Sequence, residues 1–341
     1  MSLQEPSDRE RRMYYCGLPS GPKLVARSSI TPWFQPHEWP KNKRLDVATG
    51  HKIQQLWNDP QGSLRKLIIG NLSGIDWTAI DILRVGYEDA YQDDDRLSQC
   101  PVTMLISITE NSTSFRQAEA TIIACKDILI RFGLNDVEVE MKESIVSTTA
   151  STPGPATSDP LRDWALVELA QDSFTTRLSE LRNKIPVTQD LSSLVSKIPA
   201  SPTEMACRLR FSASHELAIG PIIIPGSEQG PPGLVILKHG RTTGFTVGRA
   251  NGVHSVLRHA FEIAEEVVSS EWCIVGLGNA FSDKGDSGAV VFDLEGRVGG
   301  MITAGLRKQD NADGFDVTYA TPMQWLLDDI KRHGYDVELP N

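Results

Sequence analysis

Apolar and polar positions alternate in two different ways along this chain. Residues 101–109 read PVTMLISIT, apolar and β-branched enough for a largely buried strand. Ser112 to Ser114 then offer capping hydroxyls, and Ala118, Ile122, Cys125, Ile128 and Leu129 recur at helical spacing, which predicts a helix over residues 115–131. Gly133 and Asn135 stop it. Residues 136–143 (DVEVEMKE) alternate with period two, as a half-exposed strand does. Strand, helix and strand in succession predict an α/β layer, assigned to an N-terminal domain over residues 1–146. The first 95 residues are less periodic; Pro36, Pro40 and the acidic run 93–95 read as surface loop. This half holds no phosphate-binding glycine pattern, so a structural or partner-binding role is expected.

Residues 147–160 (STTASTPGPATSDP) are small, hydroxylated and proline-rich, with no apolar periodicity, and read as a linker. Beyond it the texture changes to short apolar runs at 164–169, 234–238, 273–277, 289–292 and 297–304. Glycine turns separate most of them. This pattern predicts an antiparallel, mainly-β domain of sandwich or barrel type over residues 161–341. Helices are predicted around 174–185 and 322–333.

Composition narrows the classes further. A net charge of −10 argues against a nucleic-acid partner. No apolar run approaches the roughly 20 residues of a membrane-spanning helix, so no membrane partner is expected. The polar first residues lack the apolar segment of a secretory leader, so the chain is expected inside the cell, in the cytoplasm. The five cysteines are scattered and show no metal-ligand spacing, so they are expected to be free thiols in a reducing compartment, with no metal and no cofactor.

The chemistry concentrates in residues 281–305, FSDKGDSGAVVFDLEGRVGGMITAG. Gly285, Asp286, Ser287 and Gly288 set one hydroxyl between glycines just before an apolar strand. Such a turn can aim two backbone N–H groups at one point, as an oxyanion site requires. A plain hairpin-preceding turn is the bland alternative.

The wider context resembles the chymotrypsin/trypsin-like serine peptidases. GDSG followed by a hairpin is similar to their nucleophile loop. Residues 238–248 (KHGRTTGFTVG) look like the G-x-T-T-G hairpin of the bacterial-type members, and Asp163-Trp164-Ala165-Leu166 is similar to the aspartate-bearing strand. The order of the three matches, closed by a final helix, is the family's order. The whole chain also resembles a group of fungal proteins that carry a trypsin-like domain. The resemblance implies a chymotrypsin-like double β-barrel for the C-terminal domain. It implies Ser287 as the nucleophile, the N–H groups of Gly285 and Ser287 as the oxyanion site, and Asp163 as the residue that orients a histidine. Phe281, six positions before Ser287, would help floor a substrate side-chain pocket. The substrate or ligand would be a peptide or protein, hydrolysed through an acyl-enzyme at Ser287.

The chain departs from that family in its histidine. The short stretch between Ser144 and Asp163 contains none, so the first barrel is expected to be incomplete. Upstream, His37 lies in a proline-bracketed loop. His51, in VATGHKIQ, faintly echoes the expected motif, but the whole α/β pattern separates it from Asp163. His215, His239, His254 and His259 read as surface or strand-end residues, and His333 as a helix-end complement to the dipole. Losing the base of a serine triad costs on the order of 10⁶ in turnover. Oxyanion and binding terms would leave roughly 10³–10⁴ over water. Two accounts fit: loss of the segment, leaving a catalytically inactive pseudo-peptidase that binds or scaffolds, or further coding sequence between Glu143 and Asp163.

Overall fold

The strand–helix–strand pattern near residue 100 forms the middle of an open sheet in the computed structural model. The structure describes residues 2–35, 40–87, 100–148, 160, 162, 164, 166, 184–186, 216–218, 220–222, 233–259, 267–294, 296–307 and 314–337. After a short helix α1 (Asp8–Met13) come β1 (Lys23–Arg27), β2 (Lys43–Val47), α2 (Ile53–Asn58), α3 (Leu64–Asn71) and β3 (Trp77–Tyr87). Then follow β4 (Val102–Ile108), α4 (Phe115–Arg131), β5 (Glu138–Glu143) and β6 (Ile145–Thr148). β4 and β5 pair in parallel through the crossover helix α4, and every residue of β4 is buried. Helix α4 opens on a capping box between Ser114 and Gln117. It turns Ala118, Ile122, Cys125, Ile128 and Leu129 into the core, the same face that the spacing predicts.

The C-terminal half adds β7 (Lys184–Pro186), β8 (Glu216–Ala218), β9 (Gly220–Ile222), β10 (Leu234–Gly240), β11 (Gly244–Ala250), β12 (Ser255–His259) and β13 (Val267–Gly276). It ends with β14 (Val290–Asp293), β15 (Arg297–Arg307), β16 (Val317–Pro322) and helix α5 (Met323–Arg332). Six strands close into an antiparallel barrel in the order β10, β11, β13, β16, β15, β14 and back to β10. Closure leaves these strands no open edge within the ring. Ile236, Trp272, Ile274, Phe281, Val291 and Ile302 fill its interior.

The barrel and the N-terminal sheet share strands. The N-terminal half of β13 pairs with β12, and β12 pairs with β3. One apolar cluster lies between the N-terminal sheet and helices α2, α3 and α4. A second, with Leu83, Leu105, Leu257, Val275 and Tyr319, lies between that sheet and the barrel. Buried polar groups cross the same seam. Asp81 accepts from Ser255 Oγ (2.5 Å) and Tyr319 OH (3.0 Å), and Asn251 Oδ1 accepts from the Ala48 amide (3.0 Å).

Several expectations change. Ser147 and Thr148, expected in a linker, are strand residues: β6 pairs with β15, Thr148 opposite Ala304 and Ser147 opposite Gly305. Their β-branched and small side chains suit that position, and the pairing partner lies far along the chain. Of the run expected as a strand over 164–169, Trp164 and Leu166 are described, and neither is in a strand. Trp164 is held instead against α5, where its indole N–H and Arg162 both donate to the buried Asp329 carboxylate (2.9 and 2.8 Å). The helix expected over 174–185 lies outside the described residues, except that Lys184 and Ile185 belong to β7. Cys100, Cys125 and Cys273 are buried free thiols and Cys16 is half-buried; burial pushes the Cys125 thiol up to about 11. Among the described residues no helix is long and apolar enough to cross a membrane.

Candidate functional site

The loop between β13 and β14 is organised around one buried carboxylate. Asp286 accepts from Lys238 Nζ (3.0 Å), the Thr242 amide (2.7 Å), the Thr243 amide (3.3 Å), Thr243 Oγ1 (2.6 Å) and the Asp283 amide (3.1 Å). Both side chains of the Lys238–Asp286 pair are fully buried. Lys238 Nζ also donates to the Gly244 carbonyl (3.0 Å) and to Thr243 Oγ1. Burial alone would raise the Asp286 pKa, but the hydrogen bonds from Thr243, Thr242 and Lys238 outweigh it and hold the carboxyl below its usual range. The Gly-Arg-Thr-Thr-Gly hairpin of β10 and β11 therefore has a physical task. Gly240 leaves room for the carboxylate, because a Cβ there would collide with it, and Thr242 and Thr243 satisfy it. Thr242 Oγ1 also donates to the Lys284 carbonyl (2.6 Å), tying hairpin and loop together.

This anchor holds Ser287 between two glycines in left-handed conformation, Gly285 at φ +94° and Gly288 at φ +83°. A side chain at Gly285 would be strained and would meet Thr242 Oγ1 at 2.5 Å. The amides along the turn divide by use. Those of Asp286, Gly288 and Ala289 donate to Asp283, Ile302 and Asp286 carbonyls at 3.1, 2.8 and 3.0 Å. Among the described residues, the amides of Gly285 and Ser287 have no acceptor, and neither does the half-buried Ser287 hydroxyl. One hydroxyl with an unengaged N–H on either side of a locked aspartate is a set of groups suited to acyl transfer.

The other candidate residues do not gather at this turn. Asp163 lies outside the described residues. Phe281 is 1% exposed, with its ring in the barrel core against Gly248, so it sits inside the barrel rather than on an open pocket. His37 and His215 are outside the described residues. His51 has both ring nitrogens occupied, Nε2 with Asp136 Oδ2 (3.0 Å) and Nδ1 with the Ile53 amide (3.2 Å). His239 is exposed on β10, opposite Phe245. Burial pushes His254 and His259 down to about 4, and His259 Nε2 contacts Ser269 Oγ (3.0 Å). His333 caps the end of α5 on the Asp329 carbonyl (2.8 Å). No described histidine is hydrogen-bonded to Ser287, and the described residues contain no cluster of three or more metal-ligating side chains.

On the β15 side, the Ser287 turn is bonded to the chain's own strands. Gly288 is bonded to Ile302, and two positions further along β15 the chain's own β6 begins to pair, at Ala304. At Gly305 the Phe315 ring fills the space that a side chain would need.

Lys238, on β10, supports the Ser287 turn through Asp286, a role that the motif match does not assign to it. Its signal is a single charge closing the apolar run LVILK, at a position that turns inward.

No family model matches the chain, and no curated protein matches it. Among solved structures, Thermobifida fusca Protease A is similar over 36% of this chain and 56% of its own, at 16% identity and a TM-score of 0.26. A glutamic acid-specific serine protease, described as using a novel histidine triad in substrate binding, has the same coverages, 17% identity and a TM-score of 0.24. The chain thus spans little more than half the length of each structure it matches.

Proposed function

We propose that the chain is a serine-peptidase-type protein of chymotrypsin-like, double-barrel ancestry that acts on peptide bonds through an acyl-enzyme at Ser287. The observation that carries this reading is the turn itself: Ser287 sits between two left-handed glycines, with the Gly285 and Ser287 amides unengaged and Asp286 locked beneath. Ser287 Oγ would attack the scissile carbonyl, and the two amides would hold the oxygen as negative charge develops on it. Asp163 would orient a histidine that takes the serine proton and returns it to the leaving amine. Without that histidine the proton has no resident acceptor, and turnover would fall by about 10⁶ from a complete triad.

The second reading is a catalytically inactive pseudo-peptidase that binds or scaffolds a peptide or protein. It draws on the absence of a described histidine partner for Ser287 and on β6 already lying along β15 beside the loop.

Fluorophosphonate labelling separates the two. In an active site, Ser287 Oγ bonds to phosphorus and fluoride leaves. The acyl-transfer reading expects one adduct on the wild-type chain and none on a folded Ser287→Ala variant. Equal labelling of both, or no labelling of the folded wild type, leaves the inactive reading standing.

A further inference from the structure

A cavity of about 390 Å³ opens on the N-terminal sheet, lined among others by Tyr14, Arg27, Trp33, Lys43, Tyr87 and Glu140. None of its lining residues belongs to the Ser287 loop. We infer that this cavity binds a small organic carboxylate with a flat apolar body, received by the ammonium of Lys43.

Lys43 and Tyr87 are register partners on β2 and β3, which puts their side chains on one face of the sheet. Lys43 Nζ lies 4.6 Å from the Tyr87 ring centroid and 4.1 Å from that of Tyr14. Aromatic faces attract a cation but accept no full hydrogen bond from it. The residue is 8% exposed, and among the described residues its ammonium has no hydrogen-bond acceptor and no carboxylate at ion-pair distance. A lysine so deeply buried is ordinarily paired.

The neighbouring charges are already used. Arg27 donates to Glu10 (3.0 Å) and to the Ser29 carbonyl (2.6 Å), while Glu140 accepts from Tyr14 OH (2.5 Å) and Tyr15 OH (2.7 Å). What remains, among the described residues, is one buried ammonium with three donors and no direct acceptor, set among aromatic walls, with the Glu140 carboxylate acting on it only through space. That combination suits one negative charge on a planar apolar body. It does not suit a multiply charged phosphate, because no second free cation lines the cavity among the described residues.

Calorimetry with phenylacetate as probe, and phenylacetamide as its neutral counterpart, tests the inference on the full chain. Phenylacetate is expected to bind the wild type in the millimolar range or tighter, and the amide about 10- to 100-fold more weakly, the loss of one charge-assisted hydrogen bond. Lys43→Met keeps the apolar stem and is expected to lose phenylacetate affinity by the same factor. If that variant does not fold, the acid–amide comparison on the wild type decides alone. No phenylacetate binding at about 10 mM, equal affinity for acid and amide, or full affinity in a folded Lys43→Met variant would overturn the assignment.

Discussion

Replacing Asp286 by alanine is expected to lower folding stability by about 3–5 kcal/mol, because it leaves Lys238 as a buried charge without its counter-ion. That is a large share of a typical domain's total of roughly 5–15 kcal/mol. The carboxylate also ends the backbone donors of Thr242, Thr243 and Asp283, so its loss loosens both the hairpin and the Ser287 turn. Lys238→Met should cost less, since four donors to Asp286 remain. The double variant Lys238→Met/Asp286→Leu should cost less than the two single changes added together, as coupled sites do. Urea titrations of the three variants measure this ordering. The same carboxylate predicts a pH dependence. Its folded pKa lies below the ordinary value, so its stabilisation is present above the unfolded value of about 3.9 and is lost as pH falls through the lower folded one. Asp286→Asn is expected to flatten the acid limb below about pH 4, and an unchanged limb would contradict the assignment.

Arg249→Met is expected to be nearly as damaging, at about 3–5 kcal/mol, for a different reason. Arg249 on β11 donates to Asp46 on β2 at 2.9 Å, with both side chains almost fully buried. This pair crosses the seam between barrel and N-terminal sheet, where β13 also belongs to both. The substitution strands Asp46, whose other oxygen accepts from the Val47 amide (2.7 Å). A melting temperature lower by on the order of 10 °C, in a single calorimetric transition, is the expected result. Two separated transitions would show that sheet and barrel unfold independently, and that the shared strand does not couple them.

The elements that a reader of the sequence recovers are those whose determinants are local. Helix α4 announces itself through Ser114 and its apolar stripe, and α5 through a run that begins after Pro322. Strand β3 is harder to see, because Asp81 interrupts its apolar stretch at residues 79–83 (AIDIL). It is acceptable there only because Ser255 and Tyr319, far along the chain, satisfy it. β6 hides inside a polar, small-residue segment for the same reason, its partner being β15. Closure of the barrel is likewise a sum of long-range pairings that no window of sequence contains. In the candidate site, glycine spacing reveals the Ser287 turn, since left-handed backbone needs glycine. The support under it is not visible that way, because Lys238 and Asp286 meet only after β10 and the loop are brought together.

The most direct measurement is a crystal structure with a peptide boronic acid bound, since a boronate bonded to serine takes the tetrahedral geometry of the acyl-transfer intermediate. Boron is expected to be bonded to Ser287 Oγ, with one boronate oxygen about 2.7–3.1 Å from both the Gly285 and Ser287 amide nitrogens. A boronate bound elsewhere, or one on Ser287 whose oxygens reach neither amide, would contradict acyl transfer at this turn.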